Sequence, residues 1–342
     1  MEINEALIKK AAEHVMLNSC SVSSSGLFNG KAGMSLALFE VARFLEDEYI
    51  EDQALQTLQE SLLTKTNDPG FENGLSGIGY VLLYLTKNKL VEADFDELFG
   101  DKLQFIYEHA DKLCDDFITN GVLPMCDMRM IYFLDIYHKC VDSNRSSELK
   151  EKLLTVYCEK LRNLLSDTLR EKEGVSKIDY MLYLEEFIKM ADKCCNSVLP
   201  SVLVDSYISE YEDGRWMSRV LLSHSLYVMS EKAGNQRWKD SALCQADIAL
   251  QSVDVRVETL RTMTDILFCN LPLKSYQEKS DEIRNHLFTT DGQKLTQNLS
   301  RAISHKNMYA GYASGMSRLL LCQSMNIQEG KETRFCVLCE ND

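Results

Sequence analysis

The side chains able to do chemistry are few, and most sit in patterns that argue against it. Cys336-Val337-Leu338-Cys339 is a lone CxxC. A structural zinc site needs four ligands, and no second pair or His-x₃-His accompanies it, so it reads as a tail carrying two thiols. Cys194-Cys195 falls at the end of a helical pattern and reads as packing. His224 lies among Leu221, Leu222 and Leu226, as a satisfied core histidine would, whereas His138 and His305 stand near helix ends, where a cation suits the dipole. There is no Walker loop, and the glycine turns do not follow the G-x-G-x-x-G pattern of dinucleotide sites. Carboxylates are abundant, 52 against 37 Lys and Arg, for a formal net charge of −15. That balance disfavours nucleic acid and anionic membrane as partners, since both need basic patches.

Any such groups must be positioned by a scaffold, and the scaffold is written in a repeated phrase. Gly26-Leu27-Phe28-Asn29-Gly30-Lys31-Ala32-Gly33 and Gly70-Phe71-Glu72-Asn73-Gly74-Leu75-Ser76-Gly77 both read G-x-x-N-G-x-x-G, lie 44 residues apart, and each precede an apolar run. Three glycines at fixed offsets, each costing about 1 kcal/mol in a helix interior, need a physical reason. A tight left-handed turn at Asn29-Gly30 and Asn73-Gly74, followed by a helix start too crowded for a Cβ at Gly33 and Gly77, supplies one. With Gly30 and Gly74 as anchors, the spacing continues through Gly121, Gly174, Gly214, the glycine-free position Glu258, and Gly311, at intervals of 40 to 53 residues. At the last, Gly315-Met316-Ser317 repeats Gly33-Met34-Ser35.

Each of the seven units has room for two helices. The helix after each anchor is the more apolar (Ile131-Tyr132-Phe133-Leu134, Val220-Leu221-Leu222, Ile266-Leu267-Phe268, Leu319-Leu320-Leu321). The one before is amphipathic and charged, as over 51–63, 95–117, 148–168 and 238–253. Alternating apolar and charged helices seven times predicts an inner and an outer ring or an open solenoid. Because the first and last units carry the best motif copies, and solenoid ends are atypical and polar, the pattern predicts a closed all-α (α/α)₇ toroid of seven helical hairpins, with the glycine turns at one mouth. We assign residues 1–325 to this single domain and 326–342 to a C-terminal tail. The first residues have no basic region followed by an apolar core, no apolar run nears the roughly 20 residues of a bilayer span, and twelve cysteines read as free thiols; the expectation is a cytoplasmic protein.

G-x-x-N-G-x-x-G turns starting successive inner helices about 45 residues apart resemble the lanthionine synthetase C-like (LanC-like) family. The likeness is best over 26–101 and is similar to members from Bacteroidetes peptide-maturation clusters; over about 120–300 only the period carries it. The resemblance implies an α/α toroid with a role in maturing ribosomally made peptides. The family's enzymes add a peptide cysteine to a dehydrated residue, holding the thiol on zinc. Their ligands, a Cys in W-C-x-G and a Cys and His in C-H-G, would fall here on Tyr211-Glu212-Asp213-Gly214 and on Arg256-Val257-Glu258, and a proton-transferring histidine on Glu173. None is present, and C-H-G occurs nowhere in the chain. The expectation is therefore no zinc or other cofactor, no catalytic residue, and a non-catalytic accessory that binds a peptide or a peptide-modifying enzyme. Tyr211 and Arg256, with the carboxylates Glu173, Asp179, Glu212, Asp213 and Glu258, are the candidate mouth residues. Those carboxylates also fit other work: the acid–base pair of a glycoside hydrolase, a hard cation, a basic peptide, or a solvated rim. An active enzyme on the same toroid, cyclase or hydrolase, is the alternative.

Overall fold

A computed structural model describes residues 5–194, 199–214, 218–289, 291–302, 311–313 and 315–326. The chain is all-α, and among the described residues there is no strand. His305, Cys195 and the Cys336/Cys339 tail lie outside the described residues.

The chain's contacts divide into two compact units. The first takes residues 1–106, 254–268 and 280–342. It contains α1 (Glu5–Ser19), α2 (Lys31–Leu45), α3 (Glu48–Leu63), α4 (Leu75–Lys87) and the start of α5 (Phe95–Asn120). The second takes residues 107–253 and 269–279. After the rest of α5 it holds a 3₁₀ turn (Met125–Arg129), α6 (Met130–Val141), α7 (Asn144–Leu164), α8 (Asp167–Glu173) and α9 (Lys177–Cys194). It continues with α10 (Leu199–Glu212), α11 (Val220–Ala233) and α12 (Gln236–Ser252). Then α13 (Leu260–Leu267), the second part of α14 (Lys274–Leu287), α15 (Gly292–Ala302) and α16 (Met316–Asn326) belong to the first unit.

Apolar and charged helices separate as the pattern requires. Every residue of α2 from Ala32 to Ala42, and of α4 from Leu75 to Leu85, is buried, whereas α3 buries only Ile50, Ala54, Thr57, Leu58 and Ser61. At ~1.5–3 kcal/mol per large apolar side chain, that difference makes the post-glycine helices the core of their unit. They are neighbours in repeat order: α13, α16, α2 and α4 in the first unit, α6, α9 and α11 in the second. The helix after Gly33 packs against the helix after Gly315.

The first two glycine turns share one geometry. The loop folds back over the helix start, and its carbonyls take the N–H groups that no side chain caps. Lys31 and Ala32 donate to Ser24 and Ser25 O at 3.0 and 3.1 Å; Leu75 and Ser76 donate to Asp68 and Pro69 O at 2.8 and 3.3 Å. A left-handed Asn-Gly turn is not used: Gly30 and Gly74 have φ of −132° and −113°, and neither Asn29 nor Asn73 has positive φ. Crowding alone demands the glycines. A Cβ on Gly30 would lie 2.6 Å from Gly26 O, and one on Gly74 2.6 Å from Gly70 O. On Gly33 and Gly77 it would overlap the carbonyl oxygens of Leu27 and Phe71.

The later anchors are a different device. Gly121, Gly174 and Gly214 do have positive φ (67°, 70° and 73°), but each follows the helix before it, with open space where a Cβ would stand. They are left-handed C-caps of α5, α8 and α10, not crowded openings of inner helices. The sixth position also shifts, for Arg256 to Glu258 form a turn and α13 starts only at Leu260, capped by Thr259.

Candidate functional site

Most of the candidate mouth residues are engaged by local partners. Glu173 is the last residue of α8, and Glu212 the last of α10, where a carboxylate faces the negative helix end. Each is offset by a cation: Lys160 Nζ lies 2.6 Å from Glu173 and also donates to Gly121 O, and Arg237 reaches Glu212 at 2.7 and 3.4 Å. Asp179 forms a capping box at the start of α9, accepting from Ser176 Oγ at 2.6 Å while its own N–H donates to that oxygen. The Tyr211 hydroxyl pairs with Ser218 Oγ at 3.0 Å, and Asp213 is exposed in the turn after α10. These five belong to the second unit. In the first, Arg256 folds onto Asp254 at 2.7 and 2.9 Å, and Glu258 is half-exposed.

The donor set does not fit zinc. Soft tetrahedral sites are built from thiolate and imidazole. Here Glu212 is paired with Arg237, and Arg256 is a guanidinium, which cannot ligate. The buried thiols are also poor donors: burial raises Cys114, and pushes Cys322 up to about 12. Among the described residues, no three His, Cys, Asp or Glu side chains form a metal-holding group.

What the structure does bring together in the second unit was not singled out in the sequence. The 3₁₀ turn carries Asp127, which accepts from the Cys126 thiol at 3.5 Å and pairs with His109 Nε2 of α5 at 3.1 Å. These contacts tie the 3₁₀ turn to α5. Two adjacent glutamates of α9 then reach opposite ways. Glu186 pairs with Arg129, which immediately precedes α6, at 3.0 Å; Glu185 accepts from Arg219 Nε, which immediately precedes α11, at 3.0 Å and from the Leu222 N–H at 3.2 Å. A charged Glu185-Glu186 doublet between Leu184 and Phe187-Ile188 was the available signal.

Burial opposes ionisation of Glu186, yet Arg129 and then Lys189 outweigh it and hold the carboxyl down at about 2 instead of the usual 4.5. A depressed carboxyl stabilises the fold fully above pH 4.5, and that contribution is lost as pH falls toward 2. Glu186→Gln is therefore expected to lower stability at neutral pH and to flatten its fall between those values. Urea melts across that range check this; parallel profiles for parent and variant would show that the pair carries no linkage.

The first unit presents a second arrangement, around Phe28. Its N–H donates to Glu72 O of the second turn at 2.7 Å, and its carbonyl accepts from Ala313 N of the last turn at 2.9 Å. Gly33 and Gly311 let the last turn approach: a Cβ on Gly33 would stand 2.7 Å from Tyr312 Cβ, and one on Gly311 3.0 Å from Phe28 O. The half-buried Phe28 ring has Tyr312 at 5.9 Å between centroids, and the Arg261 guanidinium of α13 over it at 5.7 Å. Asp265, one turn along α13, is taken by Arg318 of α16, which also donates through Nε to Thr264 at 2.6 Å. Among the described residues no helix is long and apolar enough to cross a membrane. No protein-family model and no curated protein matches the sequence.

Proposed function

We propose that the chain is a LanC-like (α/α)₇ toroid of seven hairpins that serves the maturation of a ribosomally made peptide. In this reading it is an accessory that binds the peptide or a peptide-modifying enzyme and closes no thioether ring itself. Support for the architecture comes from the main-chain bonds joining the second, first and last glycine turns, and from the packing of α16 on α2. One observation carries the non-catalytic reading. The positions that correspond to the family's ligands hold locally neutralised pairs, Glu212 with Arg237 and Arg256 with Asp254. The same pairing weighs against a carboxylate hydrolase, because Glu173, Asp179 and Glu212 are already engaged.

The test joins two measurements on the full chain. Elemental analysis after purification without chelator is expected to find far less than one zinc per chain. Incubation with a dehydrated, cysteine-containing peptide is expected to consume no free thiol. Near-stoichiometric zinc together with chelator-sensitive ring closure would overturn the accessory reading.

A further inference from the structure

We propose that Arg261, seated on the ring of Phe28, is the receptor for a carboxylate of the bound peptide; this rests on the peptide-binding reading above. The other arginines described above are committed. Arg129, Arg219, Arg237, Arg256 and Arg318 each have a carboxylate within hydrogen-bond distance. Arg261 does not. Its one ionic neighbour is Asp265, reached through Nε at 3.9 Å, beyond a hydrogen bond, and that carboxylate is already bonded to Arg318. Among the described residues its side chain donates no hydrogen bond, and 44% of it is exposed.

A surface arginine with open donors would ordinarily lose much rotamer freedom on binding. This one is held. The guanidinium lies over Phe28, and Phe28 is fixed by hydrogen bonds through both its N–H and its carbonyl to two other glycine turns. A planar fork held in cation–π contact with a ring whose backbone is fixed is preorganised for bidentate contact with a planar carboxylate, and less freedom is lost on binding. A phosphate dianion would call for a second free cation, and Arg318 is tied to Asp265 and Thr264. The chemistry recognised is therefore a carboxylate, either an acidic side chain or a peptide's own C-terminus. The receptor lies wholly within the first unit.

Fluorescence anisotropy with three labelled short peptides tests this: one with glutamates and an amidated end, one with a free C-terminus and no acidic side chain, and one with neither. At least one carboxylate-bearing peptide is expected to bind the parent more tightly than the third, and which one does so identifies the source. R261K and R261Q are each expected to weaken that binding about tenfold or more, because a lysine can neither fork nor stack as arginine does. Phe28→Leu should weaken it several-fold, with melting curves for all variants close to the parent's. In the parent itself, sodium acetate should compete better than sodium chloride at equal ionic strength, which needs no variant. Equal binding of the three peptides, or parental affinity in both Arg261 variants, overturns the receptor. Peptide binding that ignores Arg261 would leave the accessory reading standing, whereas zinc-dependent ring closure would remove that reading and leave the Arg261 comparison interpretable.

Discussion

Gly33→Ala and Gly77→Ala are expected to cost the fold roughly 3 kcal/mol or more each, the upper end of overpacking effects, although each adds a single methyl group. The added Cβ would overlap a carbonyl oxygen, Leu27 O in one case and Phe71 O in the other, and backbone cannot swing aside as a side chain can. At Gly33 relief is blocked twice. Moving Leu27 strains the Phe28 N–H bond to Glu72, and the other side is closed by Tyr312. Gly30→Val and Gly74→Val should behave alike, by collision and not by a forbidden φ. The comparison that isolates the mechanism is Gly121→Ala, where φ is +67° but the Cβ enters open space; a left-handed alanine costs about 1–2 kcal/mol. Equilibrium urea unfolding of the three alanine variants measures this. If Gly33→Ala and Gly77→Ala are no less stable than Gly121→Ala, the crowded-turn account is wrong. Because Phe28 sits inside the first turn, the same damage would also displace the platform under Arg261.

The glycines show how far the amino-acid pattern could be read. Crowding at Gly33 and Gly77 was legible because a motif repeated at fixed offsets points to one local geometry, and the two turns share their loop-to-helix bonds at equivalent positions. The left-handed turn inferred at Asn29-Gly30 was not correct. Glycine is selected both where φ is positive and where a Cβ has no room, and sequence does not separate the two reasons. The same ambiguity misplaced Gly121, Gly174 and Gly214. A helix-closing cap and a helix-opening turn both put one glycine between two helices, so the interval survives while the physics changes.

The carboxylates were harder still. Glu173 and Glu212 read as available charge, because their partners Lys160 and Arg237 sit on other helices, at separations no local pattern reports. Asp179 was legible in principle, since Ser176-Lys177-Ile178-Asp179 is a capping box. Arg261 and Phe28 carry no motif that joins them. They are 233 positions apart in the sequence, and only the packing of α13 on α16 and of α16 on α2 brings α13 near the first turn.

Arg219→Met should be among the most damaging side-chain substitutions in the second unit, costing roughly 3 kcal/mol or more. Glu185 is only 7% exposed, and Arg219 donates to it at 3.0 Å, so the substitution takes a paired cation from a desolvated carboxylate. Breaking a buried ion pair from one side is costly because the remaining charge stays desolvated. The effect should lie in the buried carboxylate that loses this cation and not in lost packing, so the double variant E185M/R219M is expected to recover most of the loss. Arg256→Met is the control. Its pair with Asp254 has an arginine 74% exposed, and an exposed, solvent-screened pair of this kind contributes little. Urea melts of the four proteins at neutral pH decide the matter. Should R219M melt with R256M, or the double variant fall below R219M, the doublet would not be what holds α9 to α11.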